Sequence, residues 1–166
     1  MVACMQGAVV GGGLELASAA HVRIADKSTF FALPEGTRGI FTGGGATVRT
    51  AKIISANRMV ELMLTGRVLN AAEGERLGLA HYVCNTESNP QSAYDFGLGL
   101  ARKIAGNAVL SNYAIVSAIH RIADMASTEG LFAEGLMAAV VQTGQDVQER
   151  LGEFVNKKAH KVAVTS

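Results

Sequence analysis

Hydrophobic residues follow two different patterns, one in each half of the chain. Up to about residue 84 the apolar runs are short and are interrupted by glycine or polar residues, which is typical of alternating short strands and helices. After a polar linker at residues 85–90, apolar residues recur mainly at helical spacing. The pattern therefore predicts an α/β region over residues 1–84 and an all-helical region over residues 85–166.

The α/β region is predicted to contain strands too short for the regular βαβ repeats of a doubly wound sheet. The predicted strands cover residues 2–6, 21–25, 29–32 and 79–84. Residues 21–25 alternate between polar and apolar, which predicts a strand buried on one face. The predicted helices cover residues 14–20, 46–54, 58–64 and 70–77, with a loop over residues 36–45. Asn70 and Glu73 have the spacing of a capping box at the start of the last of these helices.

Four helices are predicted in the second region, over residues 91–105, 109–125, 128–143 and 146–158. The third has a broad apolar face. Its members are Leu131, Phe132, Leu136, Ala139 and Val140. Such a face outside the α/β part commonly packs against another subunit, so we expect this region to mediate oligomerisation.

The composition excludes several classes of function. The chain has 166 residues, of which 49% are hydrophobic and 17% charged, and its net charge of +1 with no Lys/Arg run argues against nucleic-acid binding. No apolar run reaches the ~18–20 residues of a transmembrane helix, so no membrane association is expected. Cys4 and Cys84 are too few for a disulfide framework, which favours a reduced, cytoplasmic setting.

Metal and nucleotide motifs are missing from the sequence. The four histidines, His21, His81, His120 and His160, do not have metal-ligand spacing, so no metal site is predicted. The glycine clusters match neither a phosphate-binding loop nor a dinucleotide fingerprint. A basic end, formed by Lys157, Lys158, His160 and Lys161, is predicted to complement a helix C-terminus.

Two glutamates lie in contexts that suit paired acid/base chemistry. Gly11, Gly12 and Gly13 precede a predicted helix, where bare N–H groups can approach a ligand oxygen because no Cβ intervenes. Glu15 follows in the first turn, where the helix dipole favours a carboxylate. Glu35 follows an apolar run that ends in proline, a setting that suits a proton donor. Together these features fit the addition of water beside a carbonyl that becomes an oxyanion.

Each feature also has a simpler structural interpretation. A triple glycine is commonly a turn or packing device, a glutamate in the first turn is commonly a dipole partner, and a Pro-Glu pair is commonly a solvated loop. The functional interpretation depends on their joint occurrence, in this order.

The order of motifs resembles the enoyl-CoA hydratase/isomerase, or crotonase, family. The resemblance is carried first by residues 6–17, with Gly11-Gly12-Gly13-Leu14-Glu15 at their centre. It continues through residues 22–25, 31–35, 39–47, 64–66 and 71–79, and the helical tail resembles that family's trimerising region. The resemblance implies a ββα spiral of the ClpP/crotonase type followed by an all-helical trimerisation region.

The resemblance also implies a function. It implies a 2-enoyl-CoA hydratase that acts on acyl-CoA thioesters as a homotrimer or a hexamer built as a dimer of trimers, without a cofactor other than the coenzyme A of the substrate. By position, Gly12 matches an oxyanion donor, Glu15 the residue that activates water, and Glu35 the proton donor. Substrate contacts are expected at Gly11, Gly13, Leu14, Pro34 and Gly43.

Two departures from the family are expected to matter. Thr42 stands where the family often has proline, which changes the stiffness of a loop. The family also has a segment before the strand that starts this chain, with further core strands and a second oxyanion donor. We therefore expect this chain to be a fragment, a late-start product or half of a complex. An enoyl-CoA isomerase, which needs one carboxylate, and a non-catalytic assembly module are the alternative functions.

Overall fold

The structure, a computed structural model, describes residues 1–158. Its residues divide into two compact units, Met1–Arg102 and a second that begins at Lys103. Within residues 1–158 the strands are β1 (Val2–Met5), β2 (Ala8–Val10), β3 (Val22–Asp26), β4 (Phe30–Ala32), β5 (Val68–Asn70) and β6 (Tyr82–Cys84). The helices are α1 (Gly12–Ser18), α2 (Ala46–Ile54), α3 (Ala56–Thr65), α4 (Ala71–Arg76), α5 (Ala93–Ala105), α6 (Val109–Ala123), α7 (Ser127–Gln142) and α8 (Gln145–Val155).

The strands of the first unit form two three-stranded sheets, and successive strands alternate between them. The first sheet has the order β1-β3-β6 and is parallel throughout. The second has the order β2-β4-β5, in which β2 and β4 are parallel and β4 and β5 antiparallel. Each pair β1-β2 and β3-β4 thus contributes one strand to each sheet before the chain enters a helix. This is the predicted ββα pattern.

Strands β2 and β5 were not predicted. Each has three residues, too few to show an alternating pattern, and each exists because it pairs with β4. The predicted strand at residues 79–84 is shorter than expected. The N–H groups of Leu79 and Ala80 instead donate to the carbonyl of Gly74 at 2.8 and 3.4 Å and close the end of α4.

The prediction that residues 21–25 form a strand buried on one face is wrong. Strand β3 is central in its sheet, and apolar clusters cover both of its faces, one including Ile24 and the other Ala25. Arg23 is buried with them. Its guanidinium donates to the carbonyls of Leu79, Ala20 and Gly78 at 2.9, 2.9 and 3.1 Å, which satisfies a charge that burial would otherwise penalise.

The second unit consists of helices whose apolar side chains are largely exposed. Helices α6 and α7 pack against each other and form an apolar groove of about 630 Å³. Leu131 and Phe132, on the predicted apolar face of α7, are each 70% exposed. The unit boundary lies further along the chain than the predicted boundary at residue 84, because α5 begins in the first unit and packs Ala93 near Ile24 and Cys84.

Within residues 1–158, no helix is long and apolar enough to cross a bilayer. The predicted basic end lies partly outside the described residues. Lys157 and Lys158 follow α8, whereas His160 and Lys161 belong to the part of the chain that is not described.

Candidate active site

A sharp turn at Gly11 joins strand β2 to helix α1. Gly11 has φ +55°, a conformation that favours glycine, and its N–H donates to the carbonyl of Ala32 on β4 at 3.0 Å. Its own carbonyl accepts from the N–H groups of Leu14 and Glu15 at 2.9 and 3.0 Å. Gly12 and Gly13 are exposed, and a helix has no internal acceptors for the N–H groups of its first turn. The turn therefore presents backbone donors to solvent.

The side chain of Glu15 is held by backbone groups of a loop that is distant in sequence. It is 9% exposed, and its Oε1 accepts hydrogen bonds from the N–H groups of Gly44 and Ala46 at 2.7 and 3.2 Å. Hydrogen bonds to an ionised group are stronger than those between neutral groups. The carboxylate is consequently fixed in orientation by a glycine loop that lies 29 residues further along the chain.

Glu35 reaches the same turn from strand β4. Because β2 and β4 are parallel and pair Val10 with Ala32, the segments that follow them leave the sheet at the same edge. Glu35 is 5% exposed, and its Oε1 is 3.3 Å from the position that a Cβ on Gly11 would occupy. Its Oε2 is buried and has no hydrogen-bond partner among the described residues. Leaving a buried carboxyl oxygen without a hydrogen-bond partner costs free energy. This oxygen is therefore suited to exchange a proton with a bound molecule.

The structure thus brings both predicted glutamates to the glycine turn. Of the other predicted site residues, Gly12, Gly13 and Gly43 are exposed and Pro34 is half-buried. Leu14 does not fit the prediction of a substrate contact, since its side chain is 1% exposed in the core and its N–H donates to Gly11. Its position at the third residue of α1 turns it inward.

Three contributors were missed by the sequence analysis. Gly44 and Ala46 supply the donors to Glu15, and Arg49 contacts the same loop. Residues 43–45 lie in the predicted loop over residues 36–45, but no local pattern indicates that this loop meets a helix 29 residues earlier.

Residues 1–162 match the family model described as enoyl-CoA hydratase/isomerase. The chain belongs to this family. The mouse protein named enoyl-CoA hydratase domain-containing protein 2, mitochondrial, is 34% identical over 160 residues, which are 96% of this chain and 54% of that protein. A Rhizobium meliloti protein named as a probable enoyl-CoA hydratase is 32% identical over 95% of this chain and 60% of its own length. The chain therefore spans little more than half the length of these enoyl-CoA hydratase/isomerase relatives.

Solved structures give the same family and fold. A proposed enoyl-CoA hydratase from Rhodopseudomonas palustris CGA009 has a TM-score of 0.88 and 46% identity, covering 95% of this chain and 59% of the other. The enoyl-CoA hydratase from Bacillus anthracis has a TM-score of 0.85 and 30% identity, covering 95% and 59% respectively. The predicted crotonase-like α/β fold is confirmed. Trimerisation through the helical region stays a prediction.

Proposed function

We propose that Glu15 and Glu35 are the acid/base pair of a 2-enoyl-CoA hydratase site. The observation that carries the proposal is that two buried glutamates meet at the Gly11 turn. The N–H of Glu15 donates to Gly11 and its carboxylate is fixed by other backbone donors, while Oε1 of Glu35 lies beside Gly11 and its Oε2 is unpaired. Family membership supports the reaction class, and the names of the mouse and bacterial relatives support hydration of an enoyl-CoA.

The proposed reaction adds water across the double bond next to a thioester carbonyl. Glu15 accepts a proton from water while the water oxygen bonds to the β-carbon of the substrate. The electron pair of the double bond moves toward the carbonyl oxygen, which becomes an enolate oxygen and accepts a hydrogen bond from the N–H of Gly12. Glu35 then donates its proton to the α-carbon, and the carbonyl reforms. Exchange with solvent returns both carboxyl groups to their starting states.

Substrate contacts beyond these groups are proposed at Gly11, Gly13, Pro34 and Gly43. Glycine at a helix start allows close approach of the thioester oxygen, and a donor aimed at a developing oxyanion contributes about 10²–10³ in rate. Proton transfer and oxyanion stabilisation need no separate cofactor, so coenzyme A enters only as part of the substrate. Free thiols at Cys4 and Cys84 favour a reducing compartment, and we propose the cytoplasm.

We also propose that the helical region assembles copies of the chain into a trimer or a dimer of trimers. The support is the exposed apolar side chains of α7 and the groove between α6 and α7. Exposed apolar surface of this extent is typical of protein interfaces. A role in assembly without catalysis is the alternative, and the same exposed apolar side chains and groove support it.

Hydration of a short 2-enoyl-CoA, followed as loss of the conjugated thioester absorbance, tests the proposal. We expect turnover by the 166-residue chain, and a loss of about 10²-fold or more in kcat for Glu15→Gln and for Glu35→Gln, since each removes one proton-transfer group. Glu87→Gln, on an exposed loop, is the matched control and should retain full rate.

Three other outcomes separate the alternatives. If Glu15→Gln retains full hydration, the two-carboxylate mechanism is wrong. Double-bond migration without hydration, dependent on Glu35 alone, would assign the isomerase reaction instead. A folded chain that catalyses neither reaction would support the assembly role.

A further inference from the structure

We propose that Arg49 is a positioning residue that holds the Glu15 carboxylate through the Gly44 loop. The inference rests on the proposed function for its catalytic consequence, although its structural content does not. Arg49 lies on α2, one turn after Ala46, and is half-buried. Its guanidinium reaches across to helix α1.

The guanidinium joins the two segments whose relative position orients Glu15. Its Nη2 donates to the backbone carbonyl of Glu15 at 3.1 Å and also to the carbonyl of Gly44. The Nε donates to the hydroxyl of Ser18 at 3.4 Å, and that hydroxyl donates to the Glu15 carbonyl at 2.8 Å. The backbone of Glu15 and the backbone of Gly44 therefore share one cation.

This connection sets where the donors to Oε1 lie. The carbonyl of Gly44 is held by Arg49, and the N–H of the same residue donates to Glu15 Oε1 at 2.7 Å. Movement of the Gly44 peptide away from α1 would lengthen that bond, because both groups belong to the same short loop. None of these hydrogen bonds reaches the Glu15 carboxylate, so Arg49 acts on it through the backbone.

The glycines of the loop leave room for this arrangement. A Cβ on Gly45 would lie 2.5 Å from Nη1 and 2.7 Å from Cζ of Arg49, so the guanidinium packs directly over that residue. A Cβ on Gly44 would lie 2.9 Å from Oε2 of Glu15. The loop is thus enclosed between the Arg49 guanidinium and the Glu15 carboxylate, and a side chain at either position would displace one of them.

A planar fork is required for these contacts. The guanidinium donates in two directions at once, to the carbonyls through Nη2 and to Ser18 through Nε. A lysine retains the positive charge but offers a single point of attachment on a flexible stem. Arg49→Lys therefore separates the geometric effect from the loss of charge, and Arg49→Gln removes both.

Amide hydrogen exchange in the 166-residue chain tests the positioning directly. We expect Arg49→Gln to speed exchange at Gly44 and Ala46 by at least about tenfold, while amides at the far end of α2, such as that of Ile54, change little. Arg49→Lys should give an intermediate increase at the same two amides. Arg58→Gln, which removes an exposed arginine from α3, should leave them unchanged. Unchanged exchange at Gly44 and Ala46 in both Arg49 variants would overturn the inference.

Kinetics of hydration provide a second readout. Arg49→Gln should lower kcat by about tenfold or more with KM changed less than about twofold, because a misaligned carboxylate weakens the transition state more than substrate binding. In combination with Glu15→Gln it should cause little further loss. A full additional loss in the double variant would contradict action through Glu15.

The two proposals fail separately. If the wild-type chain shows no hydration, the exchange measurement still decides whether Arg49 fixes the Gly44 loop. If Arg49→Gln does not fold, the Arg49→Lys variant carries the same test. Faster exchange at Gly44 without any hydration would retain the positioning role and remove the proposed enzymatic activity.

Discussion

The two units of the chain obtain their stability in different ways. The first unit encloses large apolar side chains, such as Phe31 and Leu62, between its sheets and helices. Among the described residues of the second unit, the buried hydrophobic ones are small, namely Ala108, Ala114 and Ala118, whereas Leu131 and Phe132 are exposed. The α/β unit thus has a core of large apolar side chains, whereas the helical unit leaves its larger apolar side chains exposed.

Helix starts differ in the same sense. In the first unit, α3 is capped by the side chain of Ser55 and α4 by the complete box of Asn70 and Glu73. Helices α6, α7 and α8 of the second unit begin at Ala108, Ala126 and Gly144, which form no side-chain cap bond. Side-chain caps therefore fix two helix starts in the first unit, although α1 and α2 begin at Gly11 and Gly45 without one. No such cap is formed at the starts of α6, α7 and α8.

The largest expected difference concerns aromatic residues. Phe31→Ala should lower the free energy of unfolding by about 3–5 kcal/mol, because its ring is fully buried and lies against Gly74. Phe132→Ala should change it by less than about 1 kcal/mol in the isolated chain, since the ring is exposed. Urea denaturation at a protein concentration low enough to prevent association measures both. Similar losses in the two variants would show that the units are stabilised alike.

A smaller effect is expected at the helix caps. Asn70→Ala removes the acceptor of the Glu73 N–H, 2.9 Å away, and should cost about 1 kcal/mol. Ala126→Ser should instead stabilise α7 by about 0.5–1 kcal/mol, because Ala126 already has the extended backbone of a cap and Glu129 stands three residues later. Thermal unfolding followed by circular dichroism measures the pair. Failure of the serine to stabilise α7 would mean that packing, and not its free N–H groups, limits this helix.

The smallest effect is expected from pH and is confined to the first unit. Partial burial of the His81 ring, together with the nearby positive charge of Arg23, lowers the pKa of His81 below its ordinary value near 6.5. The neutral ring accepts the N–H of Arg23 at Nδ1, 3.0 Å away, an acceptor that the protonated ring lacks. This stabilising contribution is complete above the ordinary pKa and is lost as the pH falls below 6.5 through the lowered value.

Denaturation at pH 8 and pH 5.5 tests this contribution. The wild type should lose more stability between the two pH values than His81→Gln, whose side chain does not titrate. The effect should be modest, because the His81 ring is only partly removed from solvent. An equal loss in both proteins would assign the pH dependence to other groups.

Features that depend on neighbouring residues could be predicted from the sequence. The capping box at Asn70 and Glu73 was predicted from spacing alone and is formed on both sides. The Gly11 turn and the placement of Glu15 in the first turn of α1 follow from residues within one helical turn. The order of motifs then gave the family, which the match over residues 1–162 confirms.

Features that depend on residues distant in sequence could not be predicted. Strands β2 and β5 are strands only because β4 lies between them. From the sequence, Arg23 looked like a solvent-facing residue, because the carbonyls that accept hydrogen bonds from its guanidinium lie up to 56 residues away. The bonds from Gly44 and Ala46 to Glu15 cross 29 and 31 residues, and nothing near Glu15 indicates them. The two glutamates could thus be identified from the sequence, but the orientation of their side chains could not be predicted.

The alternation of strands between two sheets has a consequence for synthesis of the chain on the ribosome. The second sheet is complete only when β5 (Val68–Asn70) has been translated, and the first only when β6 (Tyr82–Cys84) has been translated. Neither sheet can therefore form in full from its earliest strands. At about 5–20 residues per second the nascent chain spends several seconds with β1 to β4 translated and their final partners still missing. During that interval Arg23 lacks the carbonyls of Gly78 and Leu79. We therefore expect the nascent first unit to need protection from premature association until residue 84 has left the exit tunnel.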